Sequence, residues 1–198
     1  MTSLLDASWP RTTERLTLRP ITAADADDVW RIRCEPAVDE WTGGVLDRID
    51  FDLRFVETDP PETVVVIHEG RLIGDLWLCV TNAWAQHPVR DEAQGVEAVL
   101  GWCFDPAVHG RGFATEAVTE GLHVLFDELG VRRVKAEAFA DNLPSRRVME
   151  RVGMRHEGTG VADSLHRDRG WLDGVTYALL ADEWRDRSHP SPDSHASV

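Results

Sequence analysis

Residues 105–117, DPAVHGRGFATEA, join an apolar extended run (96–104, VEAVLGWCF) to a run with helical spacing (118–130, VTEGLHVLFDELG). No other feature constrains the fold as tightly. A strand that turns at once into a helix returns to its sheet by a crossover, and residues 134–139 supply the next extended run. Strand, helix and returning strand predict a right-handed βαβ unit, with Glu97–Phe104 and Val134–Phe139 paired in parallel. The helix from Gly112 sets Ala114, Ala117, Val118, Gly121, Leu122, Leu125 and Leu129 on one stripe, and Gly130 ends it.

Elements alternate without an internal repeat around this unit. ERLTLRP, from Glu14 to Pro20, alternates polar and apolar residues and reads as a strand. Thr22 is placed to cap a helix whose Ala26, Val29, Trp30 and Arg33 share a face, and Leu46 to Val56 reads as a second helix. Thr63 to Val80 predicts two strands joined by a tight turn at Glu69-Gly70. Asn82 to Gly95 is polar, irregular and too long for a hairpin turn. A short helix follows from Leu143 to Arg151 and stops at Gly153, and Arg155 to Val161 and Gly174 to Leu180 complete a pair of strands. Residues 1–11 read as an N-terminal extension, 12–186 as one domain, and 187–198 as a tail with no core-forming residues, expected to be disordered.

Charge narrows the partners. With 21 Lys and Arg against 35 Asp and Glu the net charge is −14, and the acids are spread along the chain. That argues against nucleic acid or an anionic membrane as partner, and it favours a cationic ligand such as an amine. Cys34, Cys79 and Cys103 lie far apart without metal spacing, so they read as small hydrophobes in a reducing compartment, and no metal is expected. No apolar run reaches membrane-spanning length and the first residues lack a secretion pattern, which predicts a cytoplasmic protein.

The glycines at the junction have a physical use. The first amides of a helix lack intrahelical partners, and the helix dipole adds positive charge there. Gly110 and Gly112, lacking Cβ, would let a phosphate reach those amides, and Arg111 would add a charge-assisted contact. A tight turn alone would also account for both glycines. A Walker-type loop is excluded by the missing GxxxxGK, and a dinucleotide fingerprint by Thr115 in the place of its third glycine.

The segment His109-Gly110-Arg111-Gly112-Phe113-Ala114 resembles the acyl-CoA-binding motif of the GCN5-related N-acetyltransferase superfamily, Arg/Gln-x-x-Gly-x-Gly/Ala, with His at the first place. ERLTLRPIT, LGWCFDPAVHGRGFATEA, ADNLPSRRVMERVGMRHEG and DGVTYALLADEW, in that order, are similar to the branch typified by RimJ and RimL, over residues 12 to 186. The resemblance implies a mixed α/β fold, a GNAT-type acyl-CoA N-acyltransferase. Its central sheet is mostly antiparallel and its two parallel middle strands splay apart. It implies that acetyl-CoA lies in the splay, with Trp102 and Phe104 on one strand beside it. Its diphosphate would rest on the amides of Arg111 to Thr115, in the loop His109, Gly110, Arg111, Gly112, Phe113, Ala114 and Thr115. Asn142 of Asn-x-x-Ser either contacts the cofactor arm or caps the helix Leu143–Arg151, or does both.

Acetyl transfer to an amine needs a neutral nitrogen, a stabilised oxyanion and a proton for the departing thiolate. The family's proton-donating tyrosine falls at Met149, and the branch's serine falls at Ser145, which the resemblance places among the cofactor-binding residues and which is the acid candidate, beside its reading as an ordinary helix hydroxyl. Glu97 is the base candidate, or else an exposed carboxylate at a strand end. Asp163, His166 and Asp168 are alternatives, while the branch's loop glutamate falls at Ser164. Trp30, Trp41, Trp77 and Trp84 lie in segments the family uses around the acceptor, and Asp39-Glu40 and Asp91-Glu92 could attract an amine. The implied activity is N-acetylation of a primary amine, on a protein N-terminus or a small molecule. The alternative is a non-catalytic acyl-CoA-binding or sensing protein of the same fold. The family admits a homodimer, for which these residues give no argument.

Overall fold

The computed structural model describes residues 3–44, 47–58 and 61–188. In chain order the elements are β1 (Arg11–Thr12), β2 (Thr17–Pro20), α1 (Ala26–Arg33), α2 (Pro36–Asp39), α3 (Arg48–Phe51), β3 (Thr63–His68), β4 (Arg71–Thr81) and β5 (Glu97–Phe104). Then come α4 (Phe113–His123), β6 (Arg133–Phe139), α5 (Leu143–Arg151), β7 (Arg155–His166), β8 (Gly170–Leu180) and α6 (Ala181–Ser188). The strands form one eight-stranded sheet in the order β1-β2-β3-β4-β5-β6-β8-β7, a mixed α/β architecture with β5 and β6 as its parallel pair.

The β-branched run TVVVIH makes β3 a buried strand. Glu69 and Gly70, at φ 50° and 77°, make the two-residue turn into β4 that the twist of a hairpin prefers. Gly74 of β4 sits opposite Phe104, and an added Cβ would lie 2.5 Å from the Cys103 carbonyl oxygen, so β4 and β5 lie closer there than a side chain permits. Side chains alternate across the sheet. Leu76, Leu78, Leu100 and Phe104 join Phe113, Val118 and Leu122 of α4 in the larger core. On the other face Val65 and Cys103 pack with Val29, Ile32 and Phe51 from α1 and α3. Full burial of Phe113 alone is worth roughly 1.5–3 kcal/mol.

Several boundaries differ from the sequence expectation. The first extended run divides into β1 and β2 about the turn that holds Arg15. Thr22 caps the single turn that leads into α1, in a capping box with Asp25, whose Oδ2 accepts the Thr22 hydroxyl and amide at 2.7 and 2.9 Å. The helix expected from Leu46 begins at Arg48 and widens into a π-turn over Asp52–Val56, while Leu46 itself lies outside the described residues. The last strands are longer than expected, because bulges at His156/Gly158 and Gly160/Ser164 absorb the irregular residues. Within the N-terminal segment Leu4 is buried and Arg11–Thr12 is a strand. Helix α6 runs through Ser188, past the expected boundary at 187, and the Arg187 guanidinium donates to the Val152 carbonyl. Residues 189–198 lie outside the described residues.

The parallel pair positions the site. β5 and β6 are registered only at Glu97↔Arg133, Ala98↔Val134 and Val99↔Lys135. Beyond them β5 stays paired with β4 as far as Phe104, and β6 stays paired with β8 as far as Phe139. Each strand follows its outer neighbour, and a V opens between Leu100–Phe104 and Ala136–Phe139.

Candidate functional site

At the open end of the V, β5 runs into the turn that carries the two glycines. Asp105 starts it by accepting the amide of Ala107 at 2.9 Å and the guanidinium groups of Arg71 and Arg31 at 2.6 and 3.3 Å. Burial works against its charge, yet the Ala107 amide and the arginines outweigh it and hold the carboxyl below the usual range. The His109 ring bonds the Phe104 carbonyl at 3.0 Å through Nε2, so this side chain braces the turn. Gly110 and Gly112 have φ of 75° and 82°, where an L-residue is strained. A Cβ at Gly110 would meet nothing within 4 Å, so the bare backbone faces open space.

The Glu116 amide is the first to bond within the helix, to the Gly112 carbonyl at 3.1 Å. Among the described residues the amides of Arg111 to Thr115 have no backbone acceptor, the unfilled set expected at a helix start. The Arg15 and Arg111 guanidinium groups lie beside this turn, 4.5 and 4.8 Å from the centre of the Phe113 ring. Arg15 also donates to the Arg111 carbonyl at 3.0 Å and to Glu116 Oε2 at 2.7 Å. Burial opposes the Glu116 charge, but Thr13 and Arg15 lower its proton affinity, and the pairing screens a carboxylate that would otherwise repel an anion. Sequence reasoning did not single out Arg15; only the position of an arginine near the first strand signalled it.

A cleft of about 770 Å³ extends from this turn into the V. It brings together Trp102, Phe104, His109, Gly110, Gly112, Phe113, Ala114, Thr115, Asn142 and Ser145. Arg111 and Glu97 are not in its wall. Glu97 sits at the closed end of the parallel pair, where Arg132 approaches at 3.2 Å and Arg133 at 3.7 Å. Asn142 Oδ1 accepts the Ser145 amide at 3.2 Å, so the capping role holds and the residue also lines the cleft. Ser145 is half-buried in the first turn of α5, and Met149, one turn on, is buried with no proton to donate.

The cleft continues through the sheet to the face of α1 and α3. Trp30, Trp41 and Trp77 line it there, each half-buried, whereas Trp84 is 89% exposed and stands apart. The Trp77 indole donates to Glu62 at 2.8 Å. Arg33 of α1 donates to Asp75 of β4, which is wholly buried. Burial pushes the Asp75 carboxyl above the usual range, and Cys103 beside the pair is pushed up to about 12 by the same burial. The pair escaped the sequence reading, although an aspartate inside the apolar run LIGDLWL was its signal.

A second cavity of about 490 Å³ adjoins under the β7–β8 hairpin and shares Glu40, Trp41 and Glu137 with the first. Asp163 and His166 line it, and Asp168 does not. His166 is buried, with Nε2 facing the Glu40 carbonyl at 3.0 Å and Nδ1 accepting the Asp168 amide at 3.2 Å. Both ring nitrogens are thus engaged within the protein, which leaves neither for a substrate. Asp39 is tied to Arg167 at 2.7 Å, and Asp91 and Glu92 are exposed, away from both cavities. Among the described residues no three His, Cys, Asp or Glu side chains gather as a metal site.

Residues 15–155 match the family described as the acetyltransferase (GNAT) domain. The uncharacterized N-acetyltransferase YnaD of Bacillus subtilis is 36% identical over 85 residues, 43% of this chain and 49% of that protein. The L-amino acid N-acetyltransferase AaaT of Escherichia coli is 27% identical over 127 residues, 64% of this chain and 73% of that protein. The chain spans about half the length of the first of these curated relatives. Among solved structures, a GNAT-family acetyltransferase from Bacillus anthracis superposes with a TM-score of 0.73 at 26% identity, covering 88% of this chain and all of that one. RimJ of Mycobacterium smegmatis, solved with CoA-disulfide, gives a TM-score of 0.68 at 25% identity, covering 88% of this chain and 90% of that one.

Proposed function

The chain belongs to the GNAT acetyltransferase family, and from that premise we propose that it moves an acetyl group from acetyl-CoA directly to a primary amine, both held in one cleft. The observation that carries the reading is the V between β5 and β6 ending on the unfilled amides of Arg111 to Thr115. The residues present fit the donor. The amides and the flanking Arg15 and Arg111 suit a diphosphate, and the glycines leave it room. Backbone groups of β5 and β6 that face each other past Val99 suit the amides of a pantetheine arm. The CoA-disulfide bound by the related RimJ supports the same choice. The donor supplies an activated acetyl thioester.

The remaining chemistry belongs to this chain. The amine nitrogen bonds to the acetyl carbonyl carbon as the carbon–sulfur bond breaks; one proton leaves the nitrogen and one goes to the departing sulfur. Ser145, half-buried in the cleft wall, is the hydroxyl positioned to give that proton. No base is needed if the aromatic wall strips water from the ammonium and lowers its proton affinity. Holding the two reactants together then supplies most of the acceleration, up to roughly 7–11 kcal/mol. The three free cysteines agree with a cytoplasmic setting, and no described helix is long and apolar enough to cross a membrane.

A second reading, an acyl-CoA-binding protein without turnover, draws on Met149 and on Glu97 held outside the cleft. Release of free thiol from acetyl-CoA over a panel of amines decides between them. Amine-dependent release is expected; tight acetyl-CoA binding with no amine accelerating release would establish the second reading.

A further inference from the structure

The part of the cleft on the α1 and α3 face has a composition of its own. Trp30, Trp41, Phe55 and Trp77 arrive there from four separate segments, and each is only half-buried, unlike Phe51 behind them. Three tryptophans and a phenylalanine that share one cleft without full burial suit a flat apolar occupant, with Phe55 already covered on one side by Arg33. Their setting is fixed. Trp30 meets Phe51 edge to face at 5.0 Å, Trp77 is tethered to Glu62, and Trp41 packs beside Phe139 and His166 at 6.2 Å from each.

The charges around them are unequal. Glu137 projects from β6 at the V, lines both cavities and keeps 58% of its side chain exposed, with Lys135 at 3.6 Å its ion-pair partner. Glu40 also lines both cavities. Of the guanidinium groups near these rings, Arg33 is already bound to buried Asp75 and stacks 4.0 Å over Phe55. Arg48, 6.0 Å from the Trp30 ring centre, is held by Asp27 and Asp52, and Arg169, 5.8 Å from the Trp41 ring centre, is held by Asp141. Arg147 and Arg151 line the cleft from α5. Arg54 lies at the exposed rim, 5.4 Å from the Phe55 ring centre. An ammonium therefore finds carboxylates at the neck between the cavities, and a carboxylate finds its inner arginine spent.

We propose that the acceptor is an arylalkyl primary amine with no carboxylate on the carbon bearing the nitrogen. Its ring lies among Trp30, Trp41, Phe55 and Trp77, and Glu137 receives its ammonium. This rests on the acetyl-transfer reading and names its substrate class. Glu137 is a binding residue in this scheme: the ammonium gives up one proton to water at that exposed carboxylate before it attacks, and the second, lost as the amide forms, balances the one that Ser145 gives to the departing sulfur.

The test compares matched pairs on the full chain: tryptamine with tryptophan, and phenethylamine with phenylalanine, alongside spermidine and a short peptide with a free N-terminus. Thiol release gives kcat and KM, and calorimetry in the presence of CoA gives amine binding without turnover. The expected result is a kcat/KM for each arylalkyl amine at least about tenfold above its amino acid and above spermidine and the peptide. Glu137→Gln should raise the tryptamine KM about tenfold while kcat and the CoA dissociation constant stay within about threefold, the signature of a lost charge-assisted contact. Amino acids equal to or better than their amines would overturn the proposal by showing a carboxylate site, with Arg54→Ala identifying its source. Preference for spermidine or the peptide would overturn it as well. Tryptamine that binds tenfold tighter than tryptophan yet releases no thiol would keep the arylalkyl amine as the bound ligand class and sink the transfer reading, and with it the amine's role as acceptor.

Discussion

Gly112 begins α4 with φ 82°, and a Cβ there would sit 3.5 Å from Arg15 Nη2, an ordinary contact. The cost of Gly112→Ala is therefore backbone strain, about 1–2 kcal/mol of stability, and it falls on the turn that presents the free amides. Urea unfolding should show that loss, and titration with CoA should show weaker binding; unchanged values for both would mean the turn relaxes without its glycine. Ser145 calls for a different signature. If its hydroxyl gives the proton to sulfur, Ser145→Ala should lower kcat about a hundredfold or more. Acetyl-CoA affinity, read by thermal shift, should hold, since the Asn142 cap uses only the Ser145 amide. A parallel fall in affinity would assign Ser145 to binding.

Between elements, Glu157 of β7 reaches over β8 to Arg133 of β6, with contacts of 2.9 and 2.7 Å, and Arg155 adds a third at 2.9 Å. The hydrogen bond to Arg133 is the main reason its carboxyl falls from 4.5 to about 2. The folded protein thus holds this proton more weakly than the unfolded chain, so the contribution is complete above 4.5 and lost as pH falls toward about 2. Urea stability followed across that window should decline, and Glu157→Gln should flatten its share of the decline; an unaltered slope would remove the bridge from the account. How far such elements could be read beforehand depended on range. β5, α4 and α5 announce themselves through local periodicity and glycine stops, and the cleft loop follows from their order. Glu157 with Arg133, Arg15 with Glu116, and Arg33 with Asp75 join residues 24, 101 and 42 positions apart, and no local pattern encodes which strand becomes whose neighbour. Glu97 shows the same limit: its place at a strand start was legible, but not that two arginines and the closed end of the pair would claim it. Glu137 was passed over because a strand glutamate has meaning only once the strands are known to part.

For the molecule as a whole, a net charge of −14 surrounds a turn built for an anion, and the local arginines must override the global field. Raising ionic strength should accordingly have a modest effect on CoA binding, while CoA at a hundredfold its dissociation constant should stabilise the fold by about 2.7 kcal/mol. A thermal shift that is absent at saturation would show that the ligand binds unfolded chain equally well. The three paired positions joining β5 to β6 are the seam of the entire sheet, with five strands on one side and three on the other. A donor threaded into that seam would act as a keystone. The alternate amides of Leu100 to Phe104 that face the V, and not β4, would then be closed off from exchange with heavy water when it arrives, so that the reagent consumed in each turnover also finishes the architecture that consumes it.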